Sequence, residues 1–316
     1  MASDSLFQRP SGEPPRAAHW TAHGAARIVV LLALASAWGC RSPQLDARRA
    51  IEAAGGSVEL EEGRIVRVDV TGLPHVAQLL ASLPALDSVT ELRAALTDLD
   101  DRALESVRSW PLRRLDVRGT DVTDAALPLI NGFRELTWLS LADTRVSSLA
   151  ALTDLNQLQE LALPPAADDN ELAWVARWPK LQILFASGTK VTGAGLRQLT
   201  PANVPLLSTL YLAELSLDDR DLLQLPVHDK LQRLVLRDNQ LGDGAAAHVS
   251  RFRGLDYLDF SRTGLTDEGL RTLAELPLLY ILDLDGSQVT SDGILEIREA
   301  RPSLRVTHAM LAPPTT

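Results

Sequence analysis

Cysteine is almost missing from this chain of 316 residues. Cys40 is the only one, so no disulfide can form within the chain and no cysteine-based metal site exists. Basic charge is in deficit too. Lysine and arginine number 31 against 41 aspartates and glutamates, for a formal charge of −10 and a pI near 5.1. Phosphate-backbone binding needs the reverse, a basic stripe that displaces counterions, so nucleic acid is not expected as a partner. The uncharged, mostly apolar run Ile28 to Trp38 covers 11 residues, short of the roughly 20 that a membrane-spanning helix needs. The six histidines, His19, His23, His75, His228, His248 and His308, are scattered. There is no H-E-x-x-H pair, nucleophile elbow or glycine-rich phosphate loop. The reading is a non-enzymatic chain with no cofactor and no metal.

What the chain has is a period. Leu112 to Ile130 reads L-R-R-L-D-V-R-G-T-D-V-T-D-A-A-L-P-L-I. The apolar positions Leu112, Leu115 and Val117 alternate as in a strand, and Val122, Leu127 and Ile130 follow with helical spacing. The same template starts at Ile65, Val89, Leu112, Leu136, Leu158, Leu181, Leu207, Leu231, Leu255 and Leu279, at intervals of 22 to 26 residues. One such match arises by chance in a leucine-rich chain, but a train of ten does not. A solenoid grows by adding turns and escapes the usual limit on core size, so one elongated domain is expected. Its strands alternate with period two, which turns the fourth and sixth positions of each repeat inward and the third and fifth outward.

On these residues the chain resembles the leucine-rich repeat family, with repeats similar to the ribonuclease-inhibitor-like kind. The best local matches to the form G-T-x-V-T-D-x-G-L are Gly119 to Leu127, Gly188 to Leu196, Arg262 to Leu270 and Gly286 to Ile294. The ninth position, often asparagine in that family, is asparagine only at Asn239; Thr97, Thr120, Thr144, Thr189, Thr263 and Ser287 stand there in six repeats, and Leu73, Ala166 and Leu215 in three. The resemblance implies an α/β fold: a horseshoe solenoid of about ten repeats, with a parallel sheet on the concave face and short helices on the convex face, of a kind used to bind other macromolecules.

The run Ile28 to Trp38 suits a signal-peptide core, and Ala35-Ser36-Ala37-Trp38-Gly39-Cys40 resembles a bacterial lipoprotein signal, whose cysteine is lipidated. Cys40 is thus the expected lipid-anchor site, placing the protein in the cell envelope on a membrane. Ordinary secretion and an incidental apolar stretch are the alternatives. The expected organisation is a signal peptide with a disordered leader over 1–40, an N-terminal capping helix within 41–56, the repeat domain over 57–308 and a disordered tail over 309–316. Leu45 to Ala54 is a good helix former that ends at Gly55-Gly56, and Glu61-Glu62-Gly63-Arg64 signals a hairpin that adds a strand beside the first repeat. Thr123, Thr266 and Thr290 are candidate helix N-caps, and Pro84, Pro111, Pro179 and Pro277 end helices ahead of the next strand. Trp110 and Trp178 read as core. Two repeats break rhythm, the fifth at Pro164-Pro165 and the sixth around Thr200 to Pro205, either as contact loops or as tolerated drift.

The outward positions separate the two halves of the solenoid. In the first three repeats they read Arg67, Glu91 and Arg114 in one row and Asp69, Arg93 and Asp116 in the other, a checkerboard of charge that satisfies itself laterally. From the fourth repeat on they bring Trp138, Ile183, Phe185, Tyr211, Val235, Tyr257 and Ile281. Large apolar and aromatic side chains on a face that should meet water point to a protein partner; the competing explanation is that such residues simply suit exposed strands. The acid pairs Asp100-Asp101, Asp168-Asp169 and Asp218-Asp219 read as solvated turn residues. Asp256, Asp259, Asp283 and Asp285 carry no ligand-spacing motif, so the cation site they suggest stays a minor alternative. The resulting expectation is an exported, lipid-anchored protein that binds a protein partner on its concave face. A soluble substrate-recognition adaptor similar to ubiquitin-ligase leucine-rich repeat receptors, and a purely structural envelope protein, are the other readings.

Overall fold

The structure, a computed structural model, describes residues 42–309. The apolar run, Cys40 and the tail after residue 309 lie outside the described residues. Twelve strands form one sheet whose spatial order is the chain order. They are β1 Ser57–Glu61, β2 Arg64–Asp69, β3 Glu91–Arg93, β4 Arg114–Asp116, β5 Trp138–Ser140, β6 Glu160–Ala162, β7 Ile183–Phe185, β8 Thr209–Tyr211, β9 Arg233–Val235, β10 Tyr257–Asp259, β11 Ile281–Asp283 and β12 Arg305–Thr307. β1 and β2 are antiparallel and turn through Glu62 and Gly63, both at positive φ, the backbone that matches a tight hairpin to strand twist. From β2 to β12 every neighbouring pair is parallel and in step, one repeat position against the same position of the next. A helix at Pro43–Ala53, somewhat earlier than Leu45 to Ala54, buries Ala47 and Ile51 at the N-terminal end of the core.

The period-two reading of the strands sets the core. Leu115, Leu139, Leu234 and Leu258 at the fourth position are fully buried, as are Val117, Leu141, Leu236 and Phe260 at the sixth. Trp110 and Trp178 are buried beside them. The convex side carries short helices such as Val76–Ser82, Asp169–Val175, Asp243–Val249 and Asp267–Leu273. These are wider than the strand spacing of about 4.8 Å, so stacking the repeats bends the sheet to the inside of the curve. β12 forms an eleventh parallel rung that the ten-fold template does not find. The register holds, but Ser303 and His308 stand where the first and sixth apolar residues should be.

Each repeat leaves its strand through a turn that demands left-handed backbone at the eighth position. Gly72, Gly119, Gly188 and Gly286 have positive φ there, and so do Leu96, Asp143, Glu214, Asp238 and Arg262. The exception is Pro165, whose ring fixes φ near −65° and whose nitrogen carries no hydrogen. In seven other repeats the eighth-position N–H donates to the next repeat, as from Gly188 to Ala213 O at 2.9 Å and from Leu96 to Arg118 O at 2.7 Å. Pro165 has no N–H with which to make that bond. The sixth absorbs its extra residues in a convex turn, where Asn203 and Val204 N–H groups donate to Thr200 O and Val204 is buried.

The acid pairs are not merely solvated turn residues, and this corrects the sequence reading. Asp100, Asp168 and Asp218 are helix N-caps, as are Thr123, Thr192, Thr266 and Thr290. The acid one residue later reaches across to the next repeat. Asp101 accepts from Thr123 N at 2.7 Å and Oγ1 at 2.6 Å; Asp169 does the same for Thr192, Asp243 for Thr266 and Asp267 for Thr290. Gly269 and Gly293 make room for it, since a Cβ at either would collide with the Asp243 or Asp267 carboxylate. Between β5 and β6, the shortest interval, no helix forms among the described residues. There Glu171, from the following repeat, is buried and its Oε2 accepts from Leu149 N at 2.6 Å.

Candidate protein-binding face

Over β2 to β4 the outward side chains are charged and bind one another. Glu91 is buried beneath three arginines: Arg67 Nε at 2.7 Å, Arg93 Nε at 2.6 Å and Arg114 Nε at 3.8 Å. Burial opposes ionisation of Glu91, but the hydrogen bonds from Arg67 and Arg93 outweigh it and hold its carboxyl below the ordinary range. Arg67 also bridges to Glu59 of β1. Asp116 accepts from Arg118 N at 3.1 Å, but burial outweighs that bond and the nearby arginine charge and pushes its carboxyl up. A partner would have to break this lattice before using its charges, so the N-terminal rungs offer little.

Arg114 turns the other way over the indole of Trp138, 5.0 Å from the ring centroid. Trp138 is only 8% exposed, so it serves more as a wall than as an open contact. Beyond it the floor is low: Ser140 and Ala162 are small and buried. Then the fifth-position row rises. Phe185 and Tyr211 stack with ring centroids 4.5 Å apart and planes at 22°, both half-buried. They are held in adjacent rungs by the register Phe185↔Tyr211 and Tyr211↔Val235. Val235 is 6% exposed and backs the stack rather than standing proud of it. In the third-position row Ile183 and Ile281 are half-buried, and Arg233 lies 4.8 Å above the Tyr257 ring.

The C-terminal end of the face is acidic. Tyr257 Oη donates to Asp283 Oδ2 at 2.5 Å; burial first, and that bond next, keep its phenol protonated well above the ordinary range. Asp259 is 8% exposed and its carboxyl is pushed up by burial, although Ser261 N and Oγ donate to Oδ1 at 2.9 and 2.5 Å. Asp256 sits at the second position, one residue before β10. Among the described residues no three groups come together as a metal site.

The seven side chains singled out from sequence therefore lie on one face and in two adjacent rows. Five are partly open, while Trp138 and Val235 are nearly covered. Sequence reasoning missed the stacking of Arg114 and Arg233 on aromatic rings, which depends on rotamers rather than on spacing. It also missed that Asp259 and Asp283 continue the row of Phe185, Tyr211 and Val235, although the fifth-position rule contained that signal.

A sequence profile described as Leucine Rich repeat matches residues 255–274. No curated protein matches the chain. Among solved structures, an internalin from Listeria monocytogenes is similar at 15% identity, covering 86% of this chain and 95% of its own with a TM-score of 0.42. A leucine-rich repeat protein from Leptospira interrogans is similar at 17% identity, covering 73% of this chain and 62% of its own with a TM-score of 0.47. The ectodomain of the Arabidopsis receptor kinase HAESA, solved with a peptide hormone, is similar at 15% identity, covering 73% of this chain and 40% of its own with a TM-score of 0.51.

Proposed function

We propose that this chain, which has the leucine-rich repeat fold, is a non-enzymatic binder that takes a protein partner on the concave face between β5 and β11, and that Cys40 carries a lipid holding it to a membrane of the cell envelope. The observation that carries the binding reading is the half-open Phe185 and Tyr211 stack on an outward sheet face. Aromatic side chains dominate interface energetics, and a stacked, preordered pair loses little freedom on binding. The HAESA ectodomain shares the fold and is complexed with a peptide hormone, which supports a polypeptide as the class of partner.

Affinity capture with the intact protein and with Tyr211→Asp tests this. Partners held by the intact protein should be lost from a folded Tyr211→Asp protein; equal recovery with both would remove the concave face from consideration. Anchoring is separable. The run Ile28 to Trp38 before Gly39-Cys40 supports it, and no helix among the described residues is long and apolar enough to cross a membrane. Buried acyl CH₂ groups contribute about 0.8 kcal/mol each. Mass spectrometry of the mature N-terminus should show an acylated Cys40, and an unmodified cysteine there would end the anchoring proposal.

A further inference from the structure

The fifth-position row changes character along its length, and the order of that change specifies a ligand. It runs from the aromatic pair through Val235 to Asp259 and Asp283, which face each other in register on β10 and β11. Two carboxylates on adjacent rungs repel, and at the other end of the same sheet arginines neutralise the equivalent charge around Glu91. Here the hydrogen bonds that order the pair come from neutral groups, the Tyr257 hydroxyl on Asp283 and Ser261 on Asp259. Arg237 and Arg262 reach Asp259 through charge alone, and acid beside an apolar stack is complementary to a cation carried next to an apolar side chain.

We propose that this row receives an extended protein segment with a large apolar side chain on the Phe185 and Tyr211 stack and, three or four residues along, a lysine or arginine between Asp259 and Asp283. The spacing follows from geometry. Parallel strands lie about 4.8 Å apart, so Tyr211 is about 10 Å from Asp259 and about 14 Å from Asp283 across the rungs, and an extended chain advances about 3.3 Å per residue. A segment crossing the strands places its two anchors at that interval. Val235, nearly flush, leaves the intervening residues free to vary. The inference rests on the concave-face reading above and adds the chemistry of the partner to it.

The test is selection of a phage-displayed library of random twelve-residue peptides on the full chain, on Asp259→Asn/Asp283→Asn and on Tyr211→Ala, each checked for an unchanged melting profile. Selection on the native chain should enrich an apolar residue followed at the third or fourth place by lysine or arginine. Synthetic copies of those peptides should bind the double Asn variant at least tenfold more weakly, and their binding to the native chain should weaken at high salt. Peptides that depend on Tyr211 but bind the double Asn variant within twofold would overturn this proposal and leave the concave-face reading standing. Selected peptides indifferent to Tyr211 would overturn both. Enrichment of acidic or uncharged sequences, or of none, would also contradict it.

Discussion

Gly188 occupies the left-handed eighth position at φ 67°, and nothing lies within 4 Å of where its Cβ would be. Gly188→Ala therefore isolates backbone strain from packing and should cost about 1 kcal/mol in denaturant melts. Leu96, at φ 58° in the same position, should respond in the opposite sense. Leu96→Gly is expected to gain about 0.5 kcal/mol or more, and a neutral result in both would mean that the turn relaxes out of the left-handed region. This constraint was hidden in the sequence, because a backbone requirement met by Leu96, Asp143, Glu214, Asp238 and Arg262 leaves no glycine signature. Two buried histidines set a pH response. His228 and His248 turn Nε2 towards Leu199 O and Leu225 O, and burial lowers the pKa of both. The folded state thus favours neutral rings while the unfolded chain takes up protons near pH 6.5. Their contribution is fully present above that value and is lost as pH falls from there through the folded pKa. Between pH 7.5 and 5.5 the native protein should lose more stability than His248→Gln, and equal losses would exclude His248 as a contributor.

At the scale of elements, the period was legible because burial of the fourth and sixth rows imposes it, and β2 to β11 fall where the template places them. Leu234→Ala should cost about 2–5 kcal/mol through lost burial and a cavity, whereas the neighbouring Arg233→Ala should cost under about 1 kcal/mol. Comparable losses in denaturant melts would contradict the register. β12 escaped because Ser303 and His308 replace the apolar markers while backbone pairing keeps the rung. The threonine caps were readable from Thr123, Thr266 and Thr290, but not the carboxylates that brace them, since a contact 23 residues away has no local signature. Asp267 holds both Thr290 N and Oγ1, at 2.8 and 2.7 Å, at the start of the helix Ser291–Ala300. Asp267→Ala should lower stability by about 1–2 kcal/mol, and a change under about 0.3 kcal/mol would show the brace to be incidental.

For the whole molecule, one sheet carries two kinds of surface: a lattice of charge around Glu91 that satisfies itself, and a stacked aromatic row that runs into acid. The division between them was visible in the outward positions of the sequence. Which side chains stay open was not, because Trp138 is covered by Arg114 and Val235 is flush with its neighbours, and both depend on side-chain packing. The central claim is that the aromatic half binds the partner and the charged half does not. The most direct measurement is the affinity of the captured native partner for folded Tyr211→Ala and Arg93→Ala proteins beside the unaltered chain. Truncating an aromatic anchor should weaken binding at least tenfold, about 1.4 kcal/mol, and Arg93→Ala should change it less than about twofold. The opposite ranking would place the interface on the charged N-terminal rungs and contradict the account.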